Sequence, residues 1–227
     1  MRLDILTLFP GLFSGFLTES IPKIAQEKGR AEIHLHNIRD WSQNKHNKVD
    51  DRPFGGGPGM VMACQPVVDA VEAVRAMAPA PGRLFFLTPE GKRFAQPMAE
   101  ELSREDRMIL VCGRYEGFDD RIFEILQPER ISLGDFVLSG GEVAAMTIAD
   151  AVIRLLPDVL GSAESAVEDS FSAGILDHPH YTQPVEYRGL TVPEVLRGGN
   201  HALINAWRKE HALARTRLFR PDLLPPE

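Results

Sequence analysis

The chain has 227 residues, 44% of them hydrophobic and 25% charged, with a formal net charge of −7. That length provides for one large domain, or one medium and one small, with a core that needs no disulfide or metal staple. The ordinary globular composition excludes a fibrous or disordered chain, and no window approaches the roughly 18 uninterrupted apolar residues of a membrane span.

The N-terminus, MRLDILTLFPGLF, carries one basic residue and an early Asp4, so it reads as a strand rather than a signal peptide. A cytoplasmic protein is expected. Aliphatic and aromatic runs predict buried strands over residues 3–9, 32–37, 83–88, 108–112 and 129–133. Helices are expected between them. Residues 65–77 place Val68, Val71, Val74 and Met77 at helical spacing. Residues 97–103 and 119–126 are shorter, and 142–156 ends before Pro157, a stop signal. Strands alternating with helices predict an α/β domain over residues 1–160 with a mainly parallel sheet. Cys64 and Cys112 each lie in an apolar run and read as buried thiols rather than a disulfide.

The texture changes after Leu160. Residues 161–173, GSAESAVEDSFSA, read as a flexible linker. Residues 174–227 read as a small helical domain, in which Asn200 caps a long helix over residues 201–219. An overall negative charge argues against nucleic acid, but its distribution matters more. Between Arg197 and Arg220 six basic residues face one acid, Glu210, a local charge of +5.

Several common motifs are absent. Gly91-Lys92 lacks the first glycine and the hydroxyl residue of a phosphate-binding loop. The run 55–59, GGGPG, fails the dinucleotide fingerprint and follows no strand. Ser139 lacks the preceding glycine of a nucleophile elbow. His178-Pro179-His180 has no nearby cysteine or third histidine and reads as a packing or base-contacting element rather than a metal site.

Three loops, residues 87–91, 113–117 and 132–142, are rich in glycine or turn residues and follow predicted strands. Ligands of parallel α/β sheets bind outside the carboxyl ends of strands, and glycine lets the backbone approach them closely. Three such loops in register suit one compact ligand held mostly by backbone.

With these loops, the segments ILTLFPGLF (5–13), VDDRPFGGGPGM (49–60), LVCGRYEG (110–117), LGDFVLSGGE (133–142), EDSF (168–171), HPHYT (178–182) and GGNH (198–201) identify a family. The chain resembles bacterial tRNA (guanine-N1)-methyltransferases, which modify the guanine immediately following the anticodon. The segments run in the family's order and span nearly the whole chain. The resemblance implies a C-terminal trefoil knot in the α/β domain, the SPOUT class, binding S-adenosylmethionine. It assigns the cofactor to Leu87, Thr88, Pro89, Gly113, Tyr115, Gly140, Gly141 and the run Ser132, Leu133, Gly134, Asp135, Phe136, Val137 and Leu138. It also implies a homodimer and a C-terminal domain that clamps tRNA. Phe136, Glu90 and Ala144 depart from the usual tyrosine, glutamine and proline.

Guanine N1 carries a proton, so methylation there requires a base, with a donor near O6 where negative charge develops. By composition alone Asp169 is a solvated linker acid and Arg154 a snorkelling surface residue. The resemblance assigns them as general base and O6 donor. Glu116 is a third carboxylate beside the cofactor loop. Glu116 and Asp169 offer the hard oxygens that Mg2+ takes, although nothing in the sequence specifies a metal site. Phosphate contacts are expected from Arg208, Lys209, Arg215 and Arg217, and base contacts from Ser170, His180, Tyr181 and Asn200. Two alternatives stand beside this reading. One is another SPOUT enzyme acting on an rRNA base or a ribose hydroxyl; the other is a non-catalytic RNA-binding knot protein.

Overall fold

Aliphatic side chains on both faces of a strand require cover on both sides, and the five apolar runs meet this requirement together. The computed structural model describes residues 1–161 and 169–225. Most of the stretch read as a linker, residues 162–168 with Glu168 among them, lies outside the described residues. Contacts divide the chain into two compact units, residues 1–161 and 162–227.

The first unit contains strands β1 (Arg2–Thr7), β2 (Glu32–Asn37), β3 (Asp50–Asp51), β4 (Val61–Met62), β5 (Arg83–Arg93), β6 (Arg107–Cys112) and β7 (Glu129–Ser132). Its helices are α1 (Ser14–Thr18), α2 (Ser20–Glu27), α3 (Cys64–Ala76), α4 (Gln96–Leu102), α5 (Arg121–Leu126) and α6 (Glu142–Ile153). Five strands form one parallel sheet in the order β2-β1-β6-β5-β7. One face is covered by the turn before α1 and by α2, α4 and α6, through Phe13, Ala25, Leu102 and Ile148 among others, with Phe16 and Leu17 of α1 packed at its margin. The other is covered chiefly by α3 and α5, through Val67, Val71, Val74 and Ile122. Helices α1 and α2 escape the sequence reading because Gly15 and Pro22 interrupt them. Pro22 falls in the first turn of α2, where its missing N–H costs little.

β5 is longer than expected, and the reason is topological. Ile131 of β7 pairs with both Leu87 and Lys92 of β5. A strand residue has two hydrogen-bonding edges, so β7 lies between the two arms of an arch formed by residues 87–92. Gly91 lies against the backbone it passes: a Cβ there would fall 2.3 Å from the Ile131 nitrogen.

At the opposite end of the sheet, Asp4 is fully buried. It accepts from Arg107 Nε (2.8 Å) and Arg2 Nε (2.9 Å), and its other oxygen meets His36 Nε2 (2.8 Å). Arg107 also donates to the carbonyls of Val74 (2.5 Å), Arg75 (3.0 Å) and Ala80 (2.7 Å), capping the end of α3.

The second unit contains the hairpin β8 (Glu186–Tyr187) and β9 (Leu190–Thr191), the turn α7 (Glu194–Arg197) and the long α8 (His201–Phe219). Arg188 and Gly189 both adopt positive φ, as a two-residue hairpin turn demands. The Asn200 side chain accepts from the N–H groups of Ala202 (3.1 Å) and Leu203 (3.3 Å), the expected helix cap. Among the described residues of this unit only Ala212 and Thr216 are fully buried. No described helix is long and apolar enough to cross a membrane.

Candidate active site

Because β6, β5 and β7 are sheet neighbours and parallel, the loops leaving their carboxyl ends converge. Together they enclose a cavity of about 410 Å3. The first loop contributes Leu87, Thr88, Pro89 and Glu90; the second contributes Gly113, Arg114, Tyr115, Glu116 and Gly117. The third contributes Ser132, Leu133, Gly134, Phe136, Val137, Leu138, Ser139, Gly140 and Gly141, with Ala144 of α6 behind. Asp135 of that loop is turned outward and ion-paired with Arg93 at 2.7 Å. Glu90, the acid that departs from the family pattern, is neutralised by Arg130 at 2.6 Å.

Glycine is required where these loops touch. The Gly141 N–H donates to the Gly113 carbonyl (2.8 Å), and a Cβ on Gly141 would fall 2.7 Å from Cys112 Cα. Tyr115 adopts φ +60°, uncommon for a non-glycine residue and typical of strained sites.

Sequence reasoning missed the charge pair beneath the loops. Arg114 Nε lies 2.9 Å from Glu142 Oε2, and the Glu142 side chain is 1% exposed. The approach is close but off the hydrogen-bond line, so charge and distance hold it rather than an aligned donor. Thr7 Oγ1 donates to the other Glu142 oxygen (2.8 Å), and Arg114 donates to the Ser139 carbonyl (3.0 Å). Phe9 lies under the guanidinium at 4.5 Å. Both residues fall inside the recognised segments, but spacing alone does not show that they meet.

Glu116 is exposed at the rim, and its side chain packs over Gly59. Its backbone N–H donates to the Met60 carbonyl (2.9 Å), fastening the glycine-rich run to this loop. Arg154 caps the carboxyl end of α6 and is half-buried. Cys112 is fully buried, and burial pushes its thiol pKa well up. Cys64 is only half-buried, its thiol raised first by burial and then by Asp119.

The remaining predicted residues belong to the second unit. Asp169 is half-buried and lines a cavity of about 340 Å3 with Asp177, His178, Asn205, Arg208 and Lys209. Ser170 Oγ accepts from the Asp177 N–H (3.0 Å), and His180 Nε2 meets Asp177 Oδ2 at 2.7 Å. Tyr181 stands half-exposed near Trp207, whose ring stacks on His211 at 3.9 Å. Lys209, Arg215 and Arg217 are exposed along α8, while Arg208 is half-buried.

Residues 1–226 match the family described as tRNA (Guanine-1)-methyltransferase TrmD. Similar proteins carry the name tRNA (guanine-N(1)-)-methyltransferase. That of Rhodopirellula baltica is 57% identical, covering 99% of this chain and 94% of its own. Those of Geobacillus kaustophilus and Bacillus subtilis are each 54% identical, covering 99% of this chain and 91% and 92% of theirs. The chain belongs to the tRNA (guanine-1)-methyltransferase family.

Proposed function

We propose that the three-loop cavity binds S-adenosylmethionine and that the chain methylates N1 of the guanine following the anticodon of tRNA. One observation carries this reading: loops leaving three adjacent parallel strands enclose about 410 Å3, the size of a small-molecule site. Its walls combine apolar side chains (Leu87, Leu133, Leu138) with backbone amides and carbonyls of glycine-rich turns. That combination suits an adenosine ring with a short polar tail. The arch of residues 87–92 over β7 supports assignment to the knotted SPOUT class.

When bound, S-adenosylmethionine supplies a methyl group made electrophilic by its sulfonium. The chain's own groups do the rest. Asp169 accepts the proton of guanine N1, restoring a nucleophilic lone pair. Arg154 donates to O6, where negative charge accumulates. Glu116 orients the reacting groups at the rim, and with Asp169 it offers the oxygen ligands that Mg2+ takes. Lys209, Arg215 and Arg217 bind phosphates, with Arg208 behind them. His180 and Tyr181 stack against unpaired bases, while Ser170 and the Asn200 amide NH2 contact base edges or sugar. The assembly is a homodimer of the cytoplasm whose guanine pocket draws on both subunits, and the second unit closes on tRNA.

Calorimetric titration with S-adenosylmethionine tests the cavity. One site per chain is expected, weakened in Ala144→Leu, which narrows the cavity while the thermal melt stays cooperative. Wild-type protein that binds none would overturn the reading.

A further inference from the structure

The loop after Ser170 brings together three side chains to which the reaction above gives no metal, His180 alone having a part in it, as a base-stacking ring. Asp177, His178 and His180 each offer a ligand atom, and these atoms all lie within 4.8 Å of one another. The sequence shows no cysteine or third histidine near His178-Pro179-His180; the fold turns the adjacent Asp177 carboxylate toward the two rings as the third donor.

The hydrogen bonding fixes which atoms are available. His178 Nδ1 lies 3.1 Å from the Pro179 carbonyl oxygen. A carbonyl only accepts, so Nδ1 carries the hydrogen, and the neutral ring holds its lone pair on Nε2. In that neutral form Nε2 and Asp177 Oδ1, 3.7 Å apart, are both acceptors and lie beyond hydrogen-bond range. A cation between them converts this opposition into coordination. A backbone carbonyl holding the far ring nitrogen is also the usual support of a metal-ligating histidine. His180 Nε2 approaches the other carboxylate oxygen at 2.7 Å.

The group is held in place before any ion arrives. The His178 backbone N–H donates to Asp177 Oδ1 (2.6 Å), and the Asp177 N–H donates to Ser170 Oγ (3.0 Å). The His178 and His180 rings lie 4.4 Å apart, with Trp207 edge-on to His178 at 6.4 Å. The side chains of Asp177 and His178 are 23% and 13% exposed, and that of His180 is 69% exposed, which leaves the approach open from one side.

We propose that Asp177, His178 and His180 form a binding site for a divalent transition-metal cation of the zinc class, with solvent at the open position. The two imidazoles are borderline donors, and with one carboxylate they make a nitrogen-rich set that favours Zn2+, Co2+ or Ni2+ over Mg2+. On binding, His180 Nε2 gives up the hydrogen it shares with Asp177, and its exposed Nδ1 takes one from water. The carboxylate and both rings each contribute an electron pair. Asp177 and His178 also line the cavity that holds Asp169 and Arg208, so the ion adds positive charge to that wall.

The test is titration of the full chain, stripped with a chelator, with Co2+ read by its visible absorption. One Co2+ per chain is expected, displaced by Zn2+ but not by an excess of Mg2+. His180→Ala removes an exposed ligand at little cost to folding, and should weaken Co2+ binding by roughly tenfold or more. Asp177→Asn should do the same. His211→Ala removes a nearby histidine outside the ligand set and should bind as wild type. Equal Co2+ affinity in wild type and His180→Ala, or no spectral change in wild type, would overturn the proposal. Methyl transfer does not enter this readout, so the site stands or falls independently of the cofactor reading.

Discussion

Arg114 and Glu142 form an ion pair beneath the loops that line the cavity, 2.9 Å from Nε to Oε2, which joins the turn after β6 to the first turn of α6. Removing one partner of such a pair leaves an uncompensated charge and typically costs about 3–5 kcal/mol, whereas neutralising both costs far less. Arg114→Met should therefore lower stability by several kcal/mol. Arg114→Met/Glu142→Gln should recover part of the loss, since the amide oxygen introduced by the second change still accepts from Thr7. Urea denaturation midpoints of the two variants check this; an equal loss in both would mean the charges are not coupled.

The crossing of the arch over β7 makes a sharper demand. A Cβ on Gly91 would lie 2.3 Å from the Ile131 nitrogen and 2.5 Å from the Arg130 carbonyl carbon, backbone atoms with nowhere to move. Gly91→Ala should cost more than about 4 kcal/mol or abolish soluble folding. Gly15, in α1, has nothing within 4 Å of its Cβ position. Gly15→Ala should be neutral or add about 0.5–1 kcal/mol. Thermal melts of the pair decide.

Asp4 sets a pH dependence. Burial alone would raise its pKa, but hydrogen bonds from His36, Arg2 and Arg107 outweigh it, leaving the carboxyl well below its ordinary value of 3.8. A folded-state pKa below the unfolded one stabilises at every pH above 3.8, and that contribution is lost as pH falls toward the folded value. Wild-type stability should therefore drop below about pH 4 more steeply than that of Asp4→Asn. The variant itself, with Arg107 left buried and unpaired, should be about 3–5 kcal/mol less stable near neutrality. Stability curves of both proteins from acid to neutral pH measure the difference in slope.

In the second unit, Asn200→Ala deletes the α8 cap and should cost about 1 kcal/mol. With only Ala212 and Thr216 fully buried among the unit's described residues, that loss should appear as faster amide exchange at the start of α8. Unchanged exchange at Ala202 and Leu203 would show the cap to be idle.

How much of this was legible in the sequence follows from the range of the forces involved. The central strands were readable because burial on both faces leaves unbroken apolar runs, as in Met108–Ile109–Leu110–Val111, whereas the edge strands β2 and β7 carry charged and histidine side chains and are less buried than the sequence suggests. The Asn200 cap and α8 were readable because both are local. The continuation of β5 to Arg93 was not, because residues 88–93 are polar and pair only through β7, about forty residues on. The Arg114–Glu142 pair and the Asp4 cluster were hidden for the same reason: each joins residues distant in sequence. The loops around the cavity were visible through their glycines, which serve close backbone approaches there. Asp177 was missed as a donor because a lone acid before two histidines has no distinctive spacing.

Methyl transfer from labelled S-adenosylmethionine to unmodified tRNA decides whether the chain carries out the proposed reaction. Two transcripts, one with guanine and one with adenine after the anticodon, are each offered to wild type and to Asp169→Ala. Label is expected on N1 of the guanine transcript only, and its loss in Asp169→Ala while cofactor binding persists. Undiminished transfer by Asp169→Ala would remove Asp169 as the base, and a wild type that binds the cofactor but methylates neither transcript would refute the assignment to tRNA guanine.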